Sequence, residues 1–126
     1  MKQINIKHIA SLHTTTLNSL AFYEQEIEIL KKRLAEIASK NTGHEVSEGI
    51  EHFQNQFIIH GEKIDELKHA FHSNLHTLEV QILETMAYAE EDSLEANEQL
   101  FDEYLMEETL LNELRHEFLR FSAKWM

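Results

Sequence analysis

The chain has 126 residues with no proline, no cysteine and three glycines. That excludes a loop-rich enzyme or a sheet protein, which need many turn residues, and also disulfides and thiolate metal sites. A formal charge of −12 speaks against nucleic acid, and no apolar run approaches the ~18 residues of a membrane span, so a cytoplasmic protein binding neither is expected.

Abundant Leu, Glu, Ala and Ile predict long helices over residues 3–41, 45–91 and 93–125, in one domain spanning 1–126. In the first helix Ile6, His13, Leu20, Ile27, Leu34 and Asn41 recur every seventh residue. Ile9, Thr16, Tyr23, Leu30 and Ile37 form a second row three residues later, which is the seam of a coiled coil. The first break, Lys40 to Glu45, contains Gly43, suited to a left-handed C-cap, and Thr42 with Glu45 at capping-box spacing.

The second helix repeats the pattern with Val46, Phe53, His60, Leu67, Asn74 and Gln81, and with Ile50, Phe57, Ile64, Phe71 and Leu78. One antiparallel register satisfies both helices: Leu34 faces Phe53, Leu30 faces Phe57, Ile27 faces His60, His13 faces Asn74 and Ile9 faces Leu78. The second break is placed at Glu90 to Glu95, with Asp92 and Glu95 as its cap.

The third helix carries the stripe Leu100, Tyr104, Glu107, Leu111, Leu114, Phe118, Phe121 and Trp125. Folded back across the Asp92 turn, it sets Leu114 on Phe71, Phe118 on Leu67, Phe121 on Ile64 and Trp125 on His60. The third helix then ends near His60 and leaves residues 28–59 as a two-helix tip. The tip carries Leu30, Leu34, Ile37, Ile50, Phe53 and Phe57, with Ile58 and Ile59 beside them. Two helices do not bury so many large side chains, so the expectation is a homodimer whose paired tips complete a four-helix bundle. Phe53 and Phe57 are its expected anchors, with Arg33, Gln54 and Gln56 as polar specificity groups.

Candidate chemistry is confined to histidines and carboxylates. His13 opposite Asn74, with Thr16 near, reads as a buried polar layer that sets register, and His60 as a satisfied core histidine or a pH-sensitive junction. Glu66 and His69, like Glu113 and His116, have the Glu-x-x-His spacing of di-iron bundles. Leu67 and Leu114 inside these motifs lie on the core stripe, so the acids and histidines point outward. His69, His72 and His76 share one helix face and form, with Glu66, an alternative metal site; no cofactor is otherwise expected. From Glu84 to Glu117 twelve acids accompany one base, Arg115, which reads as a solvated face or as an adaptor surface for a basic partner.

The stretches Ala21 to Ile27, Arg33 to Glu36, Lys40 to Thr42, Ile50 to Ile59 and Ile64 to His69 resemble a group of small helical proteins of unknown function from bacteria of the Bacteroidetes type. The resemblance covers roughly residues 20–70. It implies the helical fold and no activity. The reading is therefore an all-α protein, a long antiparallel hairpin plus a third helix. Its expected role is that of a non-enzymatic interaction or structural protein acting through self-association and contacts with a helical or basic protein partner.

Overall fold

The computed structural model describes residues 6–85 and 91–126, which form three α-helices: α1 (Ile6–Lys40), α2 (His44–Thr85) and α3 (Glu91–Trp125). The fold is an all-α bundle in which α1 and α2 make the antiparallel hairpin and α3 runs parallel to α1. The expected segments 3–5 and 86–90 lie outside the described residues. Asp92 lies inside α3, so the break falls ahead of the Asp92–Glu95 pair.

The first turn forms where it was expected but by another device. Gly43 is not in the left-handed region and acts as the N-cap of α2. Its carbonyl accepts the Ser47 backbone N–H (3.1 Å) and the Ser47 hydroxyl (3.0 Å). Glu45 serves no capping box and instead takes Lys124 of α3 at 2.7 Å. Asn41 closes the α1 end: its amide donates both to the Ile37 carbonyl and to the Trp125 carbonyl, capping two helices with one side chain.

The heptad rows of α1 and α2 are the core. Leu20, Ile27, Leu34, Ile37, Val46, Phe57, Ile64, Leu67 and Phe71 are all buried, and Tyr23 and Ile50 are half-buried against them. Every described member of the α3 stripe is buried or half-buried too. The faces were therefore correctly assigned in all three helices.

The α3 register was not. Phe118 lies edge-on to Phe53 (ring centroids 5.2 Å apart) and to Phe57 (5.5 Å), and Phe121 lies on Phe53 (5.0 Å). At the other end Tyr104 and Phe101, in place of Leu114, meet Phe71. Compared with expectation, α3 is displaced by about two heptads toward the Asn41–Gly43 turn. It thus spans the region expected to be bare.

The two-helix tip is corrected accordingly. Leu30, Leu34, Ile37, Phe53 and Phe57 are core residues of the single chain, and Ile50 is half-buried beside them. The physical reason is burial. Each large apolar side chain gains about 1.5–3 kcal/mol on leaving water, so a register that covers the tip outweighs one that leaves it bare. Close approach of α3 also depends on Gly49, where a methyl would fall on the ring of Phe121.

Candidate interaction surfaces

Polar groups collect along α3. Glu107, buried on its core stripe, accepts a 2.7 Å hydrogen bond from Nδ1 of His60, itself only 11% exposed at the side chain. The next residue, Glu108, accepts hydrogen bonds from Tyr104 (2.7 Å) and Tyr23 (3.0 Å) on a single carboxylate oxygen. Burial, reinforced by that carboxylate, pushes the Tyr104 phenol up to about 12 and raises Tyr23 as well. Farther along, Arg115 bridges Glu26 of α1 (3.1 Å) and Asn112 of its own helix.

A His-Glu pair beside two phenols on a glutamate has the ingredients of acid-base chemistry, but it is packed solid. The cavity beside Tyr23, lined also by Glu26, Ile27 and Leu111, is about 10 Å³, no more than one water occupies. A phenol held near 12 is also far from the range in which proton transfer at neutral pH is efficient. These groups fasten α3 to the hairpin.

The expected polar layer of His13 and Asn74 is bridged by Asn97 of α3. His13 is fully buried. Its ring is held edge-on between Phe71 and Phe101, each at 5.1 Å, and its Nδ1 donates to the Ile9 carbonyl (2.9 Å). Asn74 donates to the same Asn97 (3.3 Å). Burial lowers the His13 pKa from its ordinary value, against weaker opposing hydrogen bonds to Ile9 and Asn97. His60 is joined to Glu107 and not, as expected, to the neighbourhood of Trp125, which packs at the turn with Asn41.

The histidine face of α2 stays outside. His69, His72, His76 and Glu66 are exposed, as are Glu113 and His116, and among the described residues no three His, Asp or Glu side chains converge on a point where a metal would sit. Among the described residues the alternative metal site is therefore not assembled. No described helix is long and apolar enough to cross a membrane.

Two surfaces remain, of which the first was missed at the level of sequence and the second was foreseen only in some of its residues. The first flanks the α1–α3 seam outside the Glu26–Arg115 pair, where Phe22 (58% exposed) and Ile29 on α1 accompany Leu105 and Leu119 on α3. The signal was available: Phe22 and Ile29 precede the core residues Tyr23 and Leu30 by one position and share their seven-residue spacing. The second is the α1–α2 groove on the side away from α3. It holds two adjoining cavities of about 370 and 580 Å³ that share Lys31, Phe57 and Ile58. Leu34, Phe57, Ile58 and Gln54, expected at a dimer tip, line this groove instead.

A scan against protein-family models, a search of curated proteins and a search of solved structures each find no match to this chain.

Proposed function

We propose that the chain is a non-enzymatic helical-bundle protein of the cytoplasm that works by association, first of all with a second copy of itself. One observation carries this reading: an apolar stripe flanks the α1–α3 seam, whose own charges, Glu26 and Arg115, are paired with each other. On α1 the positions at helical spacing are Asn18, Phe22, Gln25 and Ile29, and on α3 Leu105, Thr109 and Asn112 lead through His116 to Leu119. In a chain of net charge −12, a surface with half-exposed Phe, Ile and Leu, whose seam carboxylate Glu26 is neutralised by Arg115, is one on which two copies meet with little repulsion. A two-fold arrangement makes each patch its own complement.

Sedimentation equilibrium at micromolar concentration tests the reading. The expected result is a mass near twice the chain's 14.9 kDa, returning to one chain in a Phe22→Glu/Leu105→Glu variant with its helical circular dichroism intact. A wild-type monomer throughout the concentration range would falsify it.

A further inference from the structure

The α1–α2 groove points to a different kind of partner. Its walls are built by matching spacings: Glu24, Glu28, Lys31 and Ala35 on α1, and Gln54, Ile58, Gly61 and Asp65 on α2, each series stepping by four, three and four residues. The floor is apolar, with Ile27, Leu34 and Phe57 at the bottom and Ile58, 54% exposed, rising beside them. Eleven residues of helix rise about 16 Å, so the groove accommodates about three turns of a docked helix.

Gly61 is the second observation. A glycine weakens the interior of a helix, and α2 keeps this one well inside its span. At Gly49 the reason is the Phe121 ring; a side chain begun at Gly61 would meet nothing within 4 Å. No packing inside the chain calls for glycine there. The notch it leaves opens into the groove, where an arriving side chain or backbone gains close approach.

Charge selects the occupant. The Gly61 half of the groove carries Glu24, Glu28, Glu62 and Asp65 against one base, Lys31. Glu24 is met by Lys68 (3.0 Å) and Glu28 by Lys31 (3.3 Å), while Glu62 and Asp65 have no ion-pair partner among the described residues. The other half, with Leu34, Ala35, Gln54 and Asn55, bears no acid. A second copy of this chain would carry its own net charge of −12 to a groove that already holds unpaired acids, which disfavours it. We propose that this groove docks an amphipathic helix of a partner protein, with apolar anchors over Phe57 and Ile58 and Lys or Arg facing Glu62 and Asp65. The site lies apart from the α1–α3 stripe and does not depend on self-association.

Two fluorescein-labelled helical peptides with identical leucine anchors, one flanked by lysines and one by glutamates, provide the probe for the intact protein. The lysine peptide is expected to bind saturably by fluorescence anisotropy, at least tenfold tighter than the glutamate peptide, and to weaken severalfold when salt rises from about 0.05 to 0.3 M. Gly61→Leu fills the notch and is expected to abolish binding without lowering the melting temperature. Glu62→Lys/Asp65→Lys is expected to reverse the peptide preference, while Glu98→Lys/Asp102→Lys on α3, with the same change in net charge, leaves it. Equal binding of both peptides, no binding of either, undiminished binding by Gly61→Leu, or an equal effect of the α3 reversal would each overturn the proposal. A change in the mass of the unliganded protein on Gly61→Leu would overturn it in favour of a second copy.

Discussion

The α1–α2 seam and the seat of α3 are built on opposite principles. Between α1 and α2 the core contacts are apolar, and a cross-helix polar pair, Lys68 with Glu24, lies at the rim. Against α3 the hairpin presents His60 to Glu107, Tyr23 to Glu108, Glu26 to Arg115, Asn74 to Asn97 and Glu45 to Lys124. The difference concerns register. A heptad seam slid by seven or fourteen residues still sets apolar on apolar, so burial alone leaves α3 several similar positions. A buried carboxylate is not so tolerant. In the register expected from the stripe alone, Glu107 would have faced Leu78, with an unpaired charge in the core. In the observed register it meets His60.

The sharpest way to break that comparison is at this pair. His60→Leu leaves Glu107 buried without its hydrogen-bond partner and is expected to cost about 1–3 kcal/mol in urea unfolding. The double variant His60→Leu/Glu107→Leu should recover most of that stability, since a well-packed apolar pair replaces a buried hydrogen-bonded polar pair at little cost. If the pair selects register, the double variant will give broadened or doubled amide resonances for α3 while those of the α1–α2 turn stay sharp. A single sharp set would mean that the remaining polar contacts suffice.

Gly49→Ala tests how closely α3 sits. The added methyl displaces Phe121, so a loss of about 1–3 kcal/mol is expected, and a neutral result would show that the ring yields freely.

Acid should loosen the α3 side as well. Burial lowers the His13 pKa, so below the ordinary histidine value of about 6.5 the unfolded chain binds a proton that folded His13 refuses. Its contribution is present above that pH and is lost as pH falls through the lowered folded value. Unfolding curves from pH 7 to pH 5 should show a smaller stability loss in His13→Leu than in wild type. An equal loss would place the acid sensitivity elsewhere.

The smallest effect belongs to the open groove. Gly61→Ala adds a methyl to empty space in a helix interior and is expected to raise stability by about 0.5–1 kcal/mol, seen as a higher melting temperature. A loss would mean that the notch is filled within the chain. Gly49 and Gly61, twelve residues apart on α2, should thus respond to the same substitution with opposite signs.

Much of the fold was legible in the residues. The rows Leu20, Ile27, Leu34 and Phe53, His60, Leu67 name the buried faces because a period of seven leaves few other ways to hide them. Glu107 on the α3 stripe held the register clue, since a buried acid needs a donor opposite and His60 is the titratable residue on the facing row. The candidate surfaces were less legible. Phe22 and Ile58 each adjoin a core residue, and only the position of α3 decides which neighbour is covered and which is left half-exposed.

By itself the sequence determined the helices, the faces they bury, the antiparallel hairpin and the turn at Asn41 to Gly43. These follow from local propensity and hydrophobic period, which act over a few turns. The tertiary structure alone decided how far α3 slides along the hairpin. With it went the fate of Phe53 and Phe57, which became core, and of the α1–α2 groove, which stayed open. The reason is that a periodic apolar stripe is degenerate to shifts of seven. That degeneracy is lifted only when His60, Tyr23, Asn74 and Asn41 find their partners across space.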